Sequence, residues 1–245
     1  MTPAVIWHDV ECGSYTADLP LWRELAASAG SGVLDIGAGT GRVALDLGRR
    51  GHEVLAIDTD SELVAALTER AAGLGVRAVQ ADARSFDLGQ RLPDAPGWGL
   101  CIVPMQTIQL LGERGRTQFL GRAHSHLRAG GLLAATLADV TDVTSDPERT
   151  EPPLPDMREV DGTVYTSQPV AVHVEPDAVA IERIRQTADP RGHLTTEGNV
   201  TRMDRVEPAT LVAEAGALGF EHRETRTIDA TDDHLGSQVV VLCRP

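Results

Sequence analysis

The stretch Val33-Leu34-Asp35-Ile36-Gly37-Ala38-Gly39-Thr40-Gly41-Arg42 decides the fold. It opens as a short apolar strand and ends as a glycine loop that feeds a helix. Its glycines alternate, so the main chain can turn sharply and a ligand can approach the backbone closely. The dinucleotide fingerprint carries its third glycine one place later, where this chain has Arg42. The loop is therefore of the nucleotide-binding kind but departs from the nicotinamide pattern.

Working outward, the chain alternates strands and helices. A helix is expected over 19–29, strand one over 33–36, a helix over 40–50 closed by Gly51, and strand two over 53–57. Asp60 or Ser61 caps the next helix. Strand three falls at 76–79, a loop at 93–97, and strand four at 98–103, whose unbroken apolar run suits a fully buried parallel strand. A helix over 113–127 is stopped by Arg128-Ala129-Gly130-Gly131, and strand five spans 132–138. This rhythm implies a parallel sheet covered by helices on both faces. It breaks at 139–162, an acidic, proline-rich segment that reads as a long loop. Three alternating strands follow over 163–175, 177–189 and 193–206 as an antiparallel meander. A helix over 208–218 and strands over 220–228 and 238–242 complete the chain, and residues 1–20 are mixed in character.

Composition narrows the function. The chain has 245 residues, enough for one large α/β domain with an insertion. A net charge of −14 and an aromatic content of 3% disfavour nucleic acid and anionic membranes as partners. All 22 basic residues are arginine, so Schiff-base chemistry and a phosphate-binding lysine are excluded. The three cysteines, Cys12, Cys101 and Cys243, are too few and too far apart for a disulfide framework or a zinc site. No signal peptide or membrane-length apolar run is visible, which points to a cytoplasmic protein. No metal site is expected.

Ligands of open parallel sheets sit beyond the carboxyl ends of the strands. The residues leaving strands one to four should converge there: Gly37, Ala38 and Gly39; Asp58 and Thr59; Asp82 and Ala83; Pro104 and Met105. Asp58, at the tip of strand two, is placed to accept the hydroxyls of a ribose.

Asp35 to Gly41 resembles the first motif of class I S-adenosylmethionine-dependent methyltransferases of the small-molecule type, and the likeness extends over most of the chain. It implies a Rossmann-like, seven-stranded, mostly parallel sheet ending in an antiparallel hairpin, with the β meander as an insertion. On this resemblance residues 1–138 form an N-terminal lid and the cofactor-binding core, 139–206 the acidic loop and β insertion covering the acceptor, and 207–245 the completion of the sheet. The resemblance also implies that Asp82 takes the exocyclic amine of adenine and that the N–H of Ala83 meets a ring nitrogen. Asp35 fixes the loop or receives the methionine ammonium, Pro104 and Met105 support the methionine moiety, and Tyr15 closes over the cofactor. Gly99 departs from relatives that carry aspartate there, and the absence of an Asn-Pro-Pro-aromatic motif near Pro104 disfavours methylation of DNA bases.

The implied activity is methyl transfer from S-adenosylmethionine to a small-molecule acceptor, such as a natural product or amine, with S-adenosylhomocysteine as product. Direct displacement needs alignment first and a base second. Candidates for a catalytic role are His8, Tyr15, His173 and Glu197, with Asp9 and Glu11 also near the N-terminus. Alternatives are cyclase or lyase chemistry with the same cofactor, a non-catalytic binding partner, and a nicotinamide-dependent dehydrogenase. Assembly as a homodimer stays open.

Overall fold

The computed structural model describes residues 1–30, 32–88, 97–138, 153–231 and 234–245. The central sheet contains β1 (Val33–Ile36), β2 (Val54–Asp58), β3 (Val76–Gln80), β4 (Trp98–Val103), β5 (Leu127–Ala138), β10 (Glu221–Ile228) and β11 (Ser237–Cys243). Its order is β10-β11-β5-β4-β1-β2-β3, seven strands in all. β1 pairs in parallel with β2 and β4, β2 with β3, and β4 with β5; β11 runs antiparallel between β5 and β10. This is the Rossmann-like sheet with a terminal hairpin expected from the sequence. The chain leaves β1 towards β2 on one side and returns to β4 on the other, so the strand order reverses at β1, where a cleft opens beyond the strand ends.

Both sheet faces are covered, as a parallel sheet requires. On one, α5 (Gly112–His126) and α6 (Pro208–Gly216) bury Phe119, Leu120 and Leu211 against Leu34, Leu55 and Val103. On the other, α2 (Leu19–Ala29), α3 (Arg42–Arg49) and α4 (Ser61–Arg70) bury Trp22, Leu47 and Leu67 against Val33, Ala56 and Ile102. Every residue of β4 is buried, in keeping with its apolar sequence. Asp60 caps α4, its side chain accepting from the N–H groups of Glu62 and Leu63.

Three features differ from the sequence reading. The mixed N-terminus contains a helix, α1 (Pro3–Cys12), started by proline in its first turn. Its buried residues are Val5, Ile6, Asp9 and Val10; a carboxylate on the inward face hides the apolar period. Arg128 to Gly131 does not simply stop α5: it lies inside β5 as a bulge between the pairs Trp98–Leu127 and Leu100–Leu132. Gly130 makes the bulge affordable at φ 73°, and its N–H donates to the carbonyl of Arg244 at 2.7 Å. The antiparallel insertion has four strands where three were expected: β6 (Asp156–Val160), β7 (Thr163–Val174), β8 (Ala178–Ala188) and β9 (Leu194–Asp204), in that order. β6 occupies part of the expected 139–162 loop; residues 139–152 of that loop, and 93–96 of the expected 93–97 loop, lie outside the described residues.

Among the described residues no helix is long and apolar enough to cross a membrane, and no group of three or more His, Cys, Asp or Glu side chains is arranged to hold a metal ion. Cys101 and Cys243 are buried free thiols.

Candidate active site at the strand tips

The loop after β1 is pinned from below. The N–H groups of Gly37 and Ala38 both donate to the carbonyl of Ile57, at 2.9 and 3.1 Å. Gly37, Gly39 and Gly41 all have positive φ. Gly39 has a second constraint: a Cβ there would lie 2.0 Å from Nε2 of His8. The Gly39 N–H donates to Oδ2 of Asp58 at 2.8 Å, and the Asp60 N–H donates to Oδ1 at 3.0 Å. These two bonds fix the Asp58 carboxylate at the tip of β2 while leaving each oxygen further accepting capacity.

A cleft of about 450 Å³ opens over these strand ends. Asp35, Gly37, Ala38, Asp58, Thr59, Asp82, Ala83, Pro104 and Met105 all contribute to its wall, as does His8. The acids of β1, β2 and β3 therefore meet in one cavity. Tyr15, Gly39, His173 and Glu197 do not line it. Gly39 lies beneath His8. Tyr15 is 7% exposed, its ring 4.7 Å from that of His234, with the Arg42 guanidinium carbon 5.2 Å from its centroid. Burial pushes its phenol up to about 12. His173 and Glu197 stand on the four-stranded insertion, where His173 Nε2 is 3.1 Å from Glu182 and Glu197 is exposed.

Asp35 is the unusual group. It is 1% exposed, lines the cleft, and among the described residues neither carboxylate oxygen completes a hydrogen bond, the N–H of Ala44 giving only weak electrostatic help. Burial pushes its carboxyl up to about 7. An unpaired buried carboxylate is costly unless a ligand supplies the missing donor or cation. Arg42, where a dinucleotide loop would have glycine, does not supply it. Its guanidinium forks onto Asp18 at 2.5 and 2.7 Å and donates to the carbonyl of Tyr15 at 2.9 Å. Arg42 is thus committed internally and leaves no free guanidinium at the glycine loop to anchor a polyphosphate.

Asp82 accepts from the main chain and guanidinium of Arg84 at 2.5–3.0 Å, and these bonds hold its carboxyl below the usual carboxylate range. Pro104 and Met105 begin a turn in which Met105 and Gln106 take positive φ, 49° and 58°. Two consecutive non-glycine residues in that region carry strain of the sort concentrated at binding sites. The Thr107 hydroxyl closes the turn by donating to the carbonyl of Pro104 at 2.9 Å, and its methyl fills the space that a Gly37 side chain would need.

The cleft also contains residues that sequence reasoning did not select: Cys12, Arg42, Arg84, Thr107, Leu110 and Leu111. Thr107, Leu110 and Leu111 were legible as part of the segment after strand four. Cys12 reaches the wall only because α1 folds over the loop, and no local pattern announced that.

Residues 33–131 match the family model of a methyltransferase domain. No sequence among curated proteins matches the chain. Solved structures resemble it over nearly its whole length. A sugar N-methyltransferase from a Streptoalloteichus species superposes with a TM-score of 0.74 at 18% identity, covering 98% of this chain and 92% of that one. An amino pentose methyltransferase of calicheamicin biosynthesis from Micromonospora echinaspora, solved with S-adenosylmethionine bound, gives 0.73 at 17% identity, with 100% and 98% covered. A glycopeptide N-methyltransferase complexed with S-adenosylhomocysteine gives 0.64 at 21% identity, with 100% and 99% covered. At these identities the likeness is one of fold.

Proposed function

We propose that this chain, whose residues 33–131 form a methyltransferase domain, transfers a methyl group from S-adenosylmethionine to an amine of a small-molecule acceptor. The observation that carries the reading is the pair Asp35 and Asp58 in one cleft, the first buried without a partner and the second held by two main-chain N–H groups. A ligand with a vicinal diol, an ammonium and no phosphate satisfies both carboxylates. S-adenosylmethionine has these groups and supplies an electrophilic methyl on a positively charged sulfur.

Each wall residue then has work suited to its place. Asp58 accepts from the ribose, and Asp35 receives the ammonium directly or through water. Asp82 and the N–H of Ala83 face the base, with Arg84 sharing the Asp82 carboxylate. Pro104 and Met105 bear on the methionine chain. The four strands β6–β9 cover the acceptor. Alignment of the acceptor with the methyl is the main contribution of such a site, worth ~7–11 kcal/mol in favourable cases. Neither His173 nor Glu197 lines the cleft, and an amine that arrives neutral needs no protein base. The printed descriptions of the structural neighbours, two of them N-methyltransferases, favour an amine over a hydroxyl.

Calorimetric titration with S-adenosylhomocysteine tests the cofactor, and incubation with S-adenosylmethionine and a panel of amino sugars and amino-bearing glycopeptides tests the reaction. Formation of S-adenosylhomocysteine with a singly methylated amine is the expected product pattern. A pure protein that binds neither cofactor form overturns the reading.

A further inference from the structure

The helix α1 places two consecutive polar residues, His8 and Asp9, over the glycine loop. Asp9 is buried and accepts from Arg70 at 2.8 and 2.6 Å, from Arg158 of β6 at 2.8 Å, and from the Thr40 hydroxyl at 2.7 Å. These donors hold its carboxyl below the usual range, so it is ionised and can only accept. The single hydroxyl proton of Thr40 is therefore spent on Asp9. Thr40 Oγ1 lies 3.2 Å from Nδ1 of His8, and with its proton committed it accepts there. The hydrogen of a neutral His8 thus sits on Nδ1, and burial drives the ring towards that neutral form.

This fixes the other nitrogen. Nε2 carries a lone pair, makes no hydrogen bond among the described residues, and lies against Gly39, where a Cβ would be 2.0 Å away. Gly39 is the residue whose N–H ties down Asp58. The Nε2 acceptor and the Asp58 carboxylate therefore flank the same loop residue and line the same cleft.

We infer that His8 is a cofactor-positioning residue, its Nε2 accepting a hydrogen bond from one ribose hydroxyl beside Asp58, rather than the base that deprotonates the acceptor. The inference rests on the adenosyl-cofactor reading of the cleft. Arg70, Arg158, Asp9 and Thr40 act through it by setting its tautomer. The ribose is then gripped by a carboxylate from the core and an imidazole from α1, and α1 is held by an arginine of the insertion. Cofactor binding and placement of β6 share one hydrogen-bonded chain.

The test is binding, not turnover. S-adenosylhomocysteine and its 2′-deoxy and 3′-deoxy analogues are titrated into wild type, His8→Ala, His8→Phe and His8→Gln. Phenylalanine keeps a ring without the lone pair; glutamine keeps an acceptor near the position of Nε2. The expected result is an affinity for S-adenosylhomocysteine about ten-fold weaker in H8A and H8F, largely restored in H8Q. One of the two deoxy analogues should bind wild type and H8F equally. Unchanged affinity in H8F, or an equal loss for the parent and both analogues, overturns the inference while leaving the cofactor reading standing. Wild type that fails to bind S-adenosylhomocysteine overturns both.

Discussion

The side-chain amide of Gln109 donates to the carbonyl of Asp204 at 2.8 Å, while its oxygen accepts from the N–H of Ala138 at 2.8 Å. Gln109 is 2% exposed. Ala138 is the last residue of β5 and Asp204 the last of β9, so one amide joins the end of a core strand to the end of the four-stranded insertion. Gln109 also follows closely on the strained Met105–Gln106 turn. Gln109→Ala orphans two part-buried main-chain groups and is expected to cost ~1–3 kcal/mol, read as a lower urea midpoint at unchanged slope. Gln109→Glu keeps the acceptor for Ala138 but loses the donor to Asp204, and also buries a charge. A midpoint unaltered in Q109A would show that these bonds do not hold the insertion to the core.

Arg42 and Asp18 form a buried pair, with side chains 9% and 2% exposed, and Asp18 also accepts from the Trp22 indole at 2.8 Å. Arg42→Met leaves that carboxylate with one donor and is expected to destabilise the fold by ~3–5 kcal/mol. The combined Asp18→Leu and Arg42→Met protein should lose less than the sum of the single changes, by chemical denaturation of all three. Because Arg42 is committed to Asp18, reduced nicotinamide dinucleotide should give no saturable fluorescence change with the wild type.

Gly39→Ala meets two separate obstacles. The left-handed backbone at φ 55° costs an alanine ~1–2 kcal/mol, and its Cβ would run into the His8 ring. In an H8A background only the first remains. The stability loss on introducing alanine at position 39 should therefore be smaller in H8A than in wild type, as measured by thermal melts. Equal losses would mean that His8 does not sit over the loop.

Asp35 predicts a pH signature. Burial pushes its folded carboxyl up to about 7, above the ordinary aspartate value of about 3.9. Between those values the folded chain keeps a proton that the unfolded chain releases, so this group's contribution to ligand-free stability falls as pH rises through that window and levels off above it. A ligand ammonium favours the ionised form. Affinity for S-adenosylhomocysteine should therefore rise with pH up to about 7 and then flatten, with a proton released on binding at lower pH. Asp35→Asn should flatten the stability slope assigned to this group, abolish the proton release and weaken binding. Calorimetry in buffers of different ionisation enthalpy, at pH values on both sides of 7, separates the two proteins.

The sequence by itself determined the alternation of strands and helices and most of the cleft wall, while the sheet's full make-up came from the family resemblance. Strand tips carry their cleft-lining residues within two or three positions of an apolar run, so Asp35, Gly37, Asp58, Asp82 and Pro104 could be placed by local pattern alone. Parallel topology then required those tips to share one edge. Only the tertiary structure decided what stands over them. Helix α1 turns a buried carboxylate inward and so hides its period. The chain from Arg158 and Arg70 through Asp9 and Thr40 to His8 joins residues far apart in sequence. Arg42 gave no sign that its partner would be Asp18, nor Gln109 that it would bridge two strand ends. Polar side chains have no repeat to read: their partners are chosen by which donors and acceptors packing leaves unsatisfied in the interior, and that is settled only when distant segments meet.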